Sequence, residues 1–143
     1  MQTSSVIKII NRFSMLHREE IRKIMIKEDL HFGQHPILWA LHTHKASTQI
    51  ELAHHLGVSA ASINNSVRRL ANAGFLIKET DEVDQRKSRI FLTEKGQQAA
   101  MHCRVAFAEL DQKLFQGMSN HEMEELYALF ERMIKNLEQI EQE

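Results

Sequence analysis

Two short helical segments that follow one another between Thr48 and Gly74 constrain the fold of this chain most strongly. Thr48 and Glu51 have the spacing of a capping box, and Gly57 suits the end of the first segment. Ser59 is a good N-cap for the second segment, which Gly74 can end in the left-handed conformation. Two short helices that meet at the stretch HLGVS predict a helix-turn-helix.

The spacing of apolar residues changes after Gly74. The runs FLIKE and RIFL are short and apolar, and they flank a charged segment, which favours a two-stranded β-hairpin with a long turn. Thr93 can cap a further helix, which we predict to run to about Phe115. A hairpin that follows a helix-turn-helix forms a wing. The predicted fold class is therefore mainly α, a winged helix-turn-helix with a two-stranded β wing.

Amphipathic helices are expected on both sides of this module. Residues 5–28 repeat apolar positions at three- and four-residue spacing, and the break HFGQHP separates them from the short, largely buried helix ILWALHTH. Ser119 and Glu122 form a second capping box before the last helix. One apolar stripe follows that helix and comprises Met123, Leu126, Phe130, Met133, Leu137 and Ile140.

The composition suits a single domain, residues 1–143. Its 5 glycines and 1 proline are few, which favours helix. No apolar run approaches the ~20 residues that cross a bilayer, and the N-terminal stretch lacks the features of a signal peptide. The single cysteine, Cys103, excludes an intrachain disulfide and fits a reducing compartment. We therefore expect a cytoplasmic protein with no membrane partner.

Charge is unevenly distributed although the formal net charge is only -1. Residues 48–95 hold seven lysines and arginines against six carboxylates, whereas residues 109–143 hold three against nine. The central basic residues fall in two small clusters, the first with Arg68 and Arg69 and the second with Arg86, Lys87 and Arg89. The chain is therefore polarised, with a mildly basic centre and an acidic end.

The second helix of the predicted helix-turn-helix, here called the recognition helix, projects two different faces. Ile63, Val67 and Leu70 share one face and are expected in the core. The opposite face and its flanks hold Ala61, Asn64, Asn65, Arg68, Arg69 and Asn72. Asparagine can bond adenine and arginine can pair with guanine or phosphate, so this face suits a major groove. The alternative is an ordinary amphipathic helix with a polar outer face.

The stretch from Gln49 to Gly96 resembles the DNA-binding core of the MarR family of bacterial transcription regulators. The wing pattern of that family is Asp-x-Arg-x-x-Arg, followed by a strand and Leu-Thr-x-x-Gly. Here Asp84, Arg86 and Arg89 precede IFLTEKG at matching spacing. The motifs cover about residues 35–100, and the length and helix order extend the resemblance to residues 1–143.

This resemblance implies roles for individual wing residues. Arg86, at the wing tip, would enter the minor groove, and Lys87 would add attraction to phosphate. Asp84 would brace the wing by pairing with Arg89. With the recognition helix, the predicted DNA-binding residues are Ser59, Ala61, Ser62, Asn64, Asn65, Arg68, Arg69, Arg86, Lys87 and Arg89.

The resemblance also implies a homodimer in which the first and last helices of two copies interleave. The apolar stripes of the end helices support this independently, because the central module is too small to cover both. Residues 1–33 and 100–143 are then the dimerisation helices, and residues 35–96 form the DNA-binding region. A two-fold dimer would read a pseudo-palindromic operator in double-stranded DNA. The alternative is a monomer that folds its end helices onto the module.

The expected function is ligand-responsive transcriptional control, and the expected sign of regulation is repression. No nucleophile–base pair or phosphate-binding loop indicates an enzyme. Two alternatives remain open: a zinc-dependent regulator of the same fold, and a winged helix used only as a protein-interaction module.

Sensor residues are less clearly marked in the sequence. The chain has 9 histidines, and His31, His35, His102 and Cys103 could in principle converge on a zinc ion. No H-E-x-x-H or C-x-x-C spacing occurs, so no metal ligand is predicted. Cys103 is expected to be a small buried hydrophobe.

No cofactor is predicted apart from a small aromatic effector. The side chains that would line its cleft, or else belong to the plain core, are Phe13, Phe32, Trp39 and Phe107.

Overall fold

The computed structural model describes residues 2–45, 47–80, 82–84 and 88–140. Within these ranges the chain forms six helices and one two-stranded antiparallel sheet, which confirms the predicted winged helix-turn-helix. In chain order the elements are α1 (Thr3–Lys27), α2 (His35–His44), α3 (Gln49–Leu56), α4 (Ala60–Asn72), β1 (Leu76–Thr80), β2 (Ser88–Leu92), α5 (Glu94–Leu114) and α6 (Asn120–Ile140).

The ends of α3 and α4 follow the capping signals in the sequence. The backbone N–H of Glu51 donates to Thr48 Oγ1 at 3.2 Å, and the N–H of Thr48 donates to Glu51 Oε2 at 3.0 Å. Gly57 ends α3 with φ of 64°, a conformation that glycine adopts without strain. Ser59 Oγ accepts from the N–H of Ser62 at 3.1 Å at the start of α4. These local bonds fix where the two helices of the helix-turn-helix begin and end.

A core drawn from five helices, α1 to α5, and both strands holds the module together. Ile63, Val67 and Leu70 of α4 are at most 1% exposed, as the helical projection predicted. Helices α3 and α4 pack against each other, α2 packs on β2, and α4 packs on β1. Apolar contacts therefore hold the inner face of the recognition helix, and its outer face is exposed.

The hairpin extends from this core. Strand β1 runs antiparallel to β2, with Leu76 opposite Leu92 and Thr80 opposite Ser88. Ser47 adds one antiparallel bridge to β2, since its N–H donates to the carbonyl of Ile90 at 3.2 Å and its carbonyl accepts from Ile90 at 2.7 Å. This bridge ties the segment before α3 to the base of the wing.

The chain divides into two compact units, Met1–Phe107 and Ala108–Glu143, so the division falls inside α5. In the second unit, α6 begins with the predicted capping box. Ser119 N–H donates to Glu122 Oε2 at 2.8 Å and Glu122 N–H donates to Ser119 Oγ at 3.2 Å. The bond from the Ser119 backbone lowers the pKa of the Glu122 carboxyl. The proposed assignment of residues 1–33 and 100–143 to dimerisation remains a prediction.

The end helices differ from the module in exposure. No residue of α6 is buried, and its stripe residues Leu137 and Ile140 are 64% and 65% exposed. In α1 only Met25 is buried, and Ile9 is 65% exposed. Among the helices that the structure describes, none has both the length and the apolar character needed to cross a bilayer.

Candidate nucleic-acid interface

The outer face of α4 is exposed and largely polar. The helix has 13 residues, so it is about 20 Å long, and it fits a major groove about 12 Å wide. It carries two arginines and no carboxylate. Every residue predicted to bind DNA at this helix is exposed: Ser59, Ala61, Ser62, Asn64, Asn65, Arg68 and Arg69.

Hydrogen bonds orient part of this face. Arg68 Nη2 donates to Asn65 Oδ1 at 3.1 Å, so a side chain one turn earlier holds the guanidinium along the helix. Gln49 Nε2, at the start of α3, donates to Asn64 Oδ1 at 3.5 Å. The amide nitrogens of both asparagines remain as donors for a base or phosphate. Sequence reasoning missed Gln49, because its contact joins two different helices.

The wing places Arg89 and Asp84 beside the helix-turn-helix. Arg89 is exposed on β2 opposite Glu79, and Asp84 is half-buried. Both line a cleft of about 1050 Å³ between the hairpin and the N-terminal end of α3. The proposed brace between Asp84 and Arg89 stays a prediction. Arg86 and Lys87 lie outside the described residues.

The charge of this cleft distinguishes it from the outer face of α4. The cations that line it within the described ranges are Lys78 and Arg89. The carboxylates that line it are Glu51, Glu79, Glu82 and Asp84. Because carboxylates repel phosphate, the floor of the cleft is a poor site for the DNA backbone. Among the described residues, the outer face of α4 therefore carries fewer carboxylates than this cleft does.

The motif Leu-Thr-x-x-Gly joins the recognition helix to α5. Thr93 Oγ1 donates to the carbonyl oxygen of Gly74 at 2.6 Å and accepts from the N–H of Gly96 at 3.1 Å. A Cβ added at Gly96 would overlap the carbonyl oxygen of Phe75, so only glycine fits there. The motif thus connects the segment after α4 to the start of α5 by hydrogen bonds. The spacing of the motif alone does not show this role.

An aromatic cluster lies between α2 and α5. The His35 ring stacks on Trp39 with centroids 6.3 Å apart and meets the edge of Phe107 at 4.7 Å. Arg104 Cζ lies 5.2 Å from the centroid of Trp39, and His42 stacks on Trp39 at 5.2 Å. Of the four predicted cleft aromatics, only Trp39 and Phe107 come together here.

The other two cleft aromatics have different neighbours. Phe13 stacks on His17 at 5.6 Å, and the Arg18 guanidinium lies 5.5 Å from the centroid of Phe32. Phe13 and Phe32 are both exposed. The aromatic cluster thus differs in composition from the predicted set, because His35 and His42 take part and Phe13 and Phe32 do not.

Electrostatics in the cluster follow from burial. Desolvation lowers the pKa of His35 most, a hydrogen bond to the backbone of Ala100 opposes it, and nearby Arg104 lowers it further. The balance of these effects lowers the pKa of His35 and so favours the neutral form of the ring.

The candidate sensor residues near α5 do not form a metal centre. His102 Nδ1 lies 3.1 Å from Glu28 Oε1. Cys103 is fully buried, and burial together with Glu28 raises the pKa of its thiol to about 11. Across residues 2–45, 47–80, 82–84 and 88–140, no three histidine, cysteine or carboxylate groups are placed to hold one ion. A thiol that stays protonated is a poor nucleophile, so Cys103 acts as a core residue.

A helix-turn-helix with an exposed basic second helix and a β-hairpin wing defines the class of winged helix-turn-helix DNA-binding proteins. Comparison with known families places the chain within this class. Residues 28–87 match the model of the MarR family. The chain is a DNA-binding transcriptional regulator that is similar to members of this family.

Individual relatives resemble the chain over most of its length. The uncharacterized HTH-type transcriptional regulator YybA of Bacillus subtilis (strain 168) is 27% identical over 133 residues, which span 91% of this chain and 89% of YybA. The HTH-type transcriptional repressor IacR of Pseudomonas putida is 24% identical, over 85% of this chain and 73% of IacR. The heme sensor PefR from Streptococcus agalactiae, solved with heme, shares the fold with a TM-score of 0.77 and 18% identity, over 94% of this chain and 95% of PefR.

Proposed function

We propose that the protein is a ligand-responsive repressor that acts in the bacterial cytoplasm as a homodimer on a pseudo-palindromic operator. The observation that carries this proposal is the outer face of α4, which is exposed, basic and free of carboxylates. Arg68 and Arg69 would contact bases or phosphate, with the two asparagines reading adenine. Arg86, Lys87 and Arg89 would extend the contact from the wing into the minor groove.

The exposed apolar residues of α1 and α6 support the homodimer. A contiguous apolar stripe such as the one on α6 is costly to leave in water, and a second copy offers a matching surface. A two-fold dimer carries two recognition helices about one helical turn of DNA apart, roughly 34 Å. The operator would therefore contain two inverted half-sites at that spacing.

The similarity to the repressor IacR over 85% of this chain supports repression as the sign of regulation. An effector would act by preferring a dimer whose recognition helices have the wrong spacing, so that it lowers DNA affinity by its differential affinity for the two states. Relatives that regulate transcription also support a function other than catalysis.

The aromatic cluster around Trp39 favours a small aromatic effector as the ligand. A flat apolar molecule would stack on the exposed part of Trp39, and Arg104 would attract an acidic group on it. PefR, which shares the fold, is solved with heme, itself a flat aromatic molecule. Trp39 is the only tryptophan, so a titration followed by tryptophan fluorescence reports on this cluster. The site is supported if an aromatic acid quenches Trp39 saturably in the wild type and more weakly in Arg104→Ala. The site is contradicted if every apolar compound quenches Trp39 to the same extent.

The function is tested by selecting duplexes from a random-sequence pool with the purified protein. The selected duplex and a shuffled control are then titrated by fluorescence anisotropy at ~150 mM salt, because affinity depends on salt. We expect an enriched inverted repeat and tight binding to that duplex alone. Arg69→Ala should weaken this binding, and Arg132→Ala, the same change on α6, should not.

The two alternatives give different results in the same experiment. A zinc-dependent regulator would lose operator binding when a chelator is added and regain it with zinc. A protein-interaction module would enrich no sequence and would bind neither duplex, even at low salt, and that outcome would overturn the proposed function.

A further inference from the structure

Base readout requires that the recognition helix be held at a fixed angle to the rest of the module. The first half of α4 is held by α3, through apolar packing and the contact between Gln49 and Asn64. The last turn of α4 has a different support. Lys95, in the first turn of α5, donates from Nζ to the carbonyl oxygen of Ala73 at 2.7 Å. Ala73 is the C-cap residue of α4.

The chemistry of a helix end explains why a lysine suits this position. The last carbonyl groups of a helix lack partners within the helix and carry a partial negative charge. The Lys95 ammonium supplies both a donor and a positive charge to them. Thr93 Oγ1 donates to the next carbonyl, that of Gly74, at 2.6 Å. Two adjacent carbonyls at the end of α4 are thus bound by side chains from the start of α5.

The rest of the Lys95 side chain is also held in place. Its Nζ lies 4.4 Å from the ring centroid of Phe75, within the range of a cation–π contact. Its Cδ lies 4.0 Å from where a Cβ on Gly74 would be, so the aliphatic stem runs directly over that glycine. Lys95 therefore spans the turn between α4 and β1 and fixes it from one side.

We propose that Lys95 is a positioning residue for DNA recognition, which holds the C-terminal end of the recognition helix against α5 without touching DNA. The inference rests on the proposed function, since it concerns how α4 is presented to the operator. Lys95 acts on the orientation of the groups that read bases, and phosphate attraction is left to the arginines. Loss of Lys95 should therefore reduce discrimination between sequences more than it reduces affinity for DNA in general.

The test compares Lys95→Met with Lys95→Arg and with a control. Methionine keeps the aliphatic stem but removes the charge and the donor, and arginine restores both. Lys113→Met removes the same charge from the other end of α5. Each variant is titrated onto the selected operator duplex and onto its shuffled control at several salt concentrations. Hydrogen exchange at the amides of Ala73, Gly74 and Phe75 is measured in the absence of DNA.

We expect Lys95→Met to weaken operator binding roughly ten-fold, the scale of one charge-assisted hydrogen bond, and to leave binding to the shuffled duplex and the salt slope unchanged. Lys95→Arg should recover most of the affinity, and Lys113→Met should match the wild type. The three amides should exchange faster in Lys95→Met, whereas amides of α3 should not change.

Three results would overturn the inference. Equal losses on both duplexes with a shallower salt slope would mean that Lys95 contacts phosphate directly. A lower melting temperature with unchanged operator affinity would mean that Lys95 only stabilises the fold. Unchanged exchange at the three amides would mean that Lys95 does not hold the end of α4, whatever the DNA result. If the wild type itself selects no sequence, the proposed function fails, and the exchange data still decide the structural part.

Discussion

The winged module and the end helices share the same helix-capping signals in the sequence, but they differ in how far their apolar side chains are buried. Helices α3 and α6 both start with a complete capping box. Yet Leu38, Val67 and Ile90 of the module are fully buried, whereas no residue of α6 is. Local sequence therefore fixes where a helix starts in both regions, but it does not decide whether the apolar face of that helix is buried. In the proposed homodimer, a second copy would cover the apolar residues of α6.

The largest effect is expected from a charge placed on the stripe of α6. Phe130→Asp should abolish the dimer and operator binding, because two-fold symmetry buries the unpaired charge twice, at a cost of roughly 3–5 kcal/mol for each copy. Sedimentation velocity and anisotropy measure the two losses. Gln139→Asp, an exposed position off the stripe, is the matched control. A Phe130→Asp protein that still sediments as a dimer would show that α6 lies outside the interface.

The next prediction compares one leucine from each region. Leu70→Ala, in the module core, should lower the free energy of unfolding by about 2–5 kcal/mol at every protein concentration. Leu137→Ala should act mainly through association, so its effect on the melting temperature should depend on concentration. Thermal unfolding followed by circular dichroism over a range of concentrations separates the two. Parallel, concentration-independent losses for both variants would contradict the contrast between the regions.

A substitution in the wing should have a smaller effect, on operator binding alone. Arg86→Ala should weaken operator binding by roughly 1–3 kcal/mol, because it would remove a cation that the wing motif assigns to the minor groove. Arg86 lies outside the described residues, so the prediction rests on the motif. Anisotropy with the selected duplex measures the affinity, and an unchanged circular dichroism spectrum checks the fold. If affinity stays at the wild-type value, the minor-groove role is wrong.

The smallest effect concerns pH. Burial lowers the pKa of His35 below its ordinary value of 6.5, so the unfolded chain takes up this proton at higher pH than the folded one. Its contribution to stability is therefore complete above pH 6.5 and is lost as the pH falls toward the folded pKa. Urea unfolding at about pH 7.5 and about pH 5.5 should show a smaller pH effect in His35→Phe than in the wild type. His54→Phe, at an exposed position, should keep the wild-type pH effect; an equal effect in all three proteins would contradict the prediction.

Some features of the site follow from residues that are close in sequence. The capping boxes, the left-handed Gly57 and the buried face of α4 depend on bonds or spacings within one or two helical turns. Sequence patterns read such features well, because the interacting residues are separated by fixed short intervals. The apolar spacing also predicted α1, as residues 5–28. The observed helix is Thr3–Lys27, so the prediction differs from it only at the two ends.

Other features depend on contacts between distant parts of the chain. Lys95 and Ala73, Gln49 and Asn64, and Ser47 and Ile90 are brought together only when the helices and the hairpin pack. No periodicity marks such pairs, because the distance between them is set by the whole module and not by the geometry of one element.

Periodicity, helix caps and charge are local properties, and they were sufficient to predict a winged helix-turn-helix with apolar end helices and a basic centre. The contacts that secure the end of the recognition helix to α5, and the aromatic residues around His35, became known only from the folded molecule. Those arrangements come from close packing, in which each side chain is positioned by neighbours that are remote in sequence.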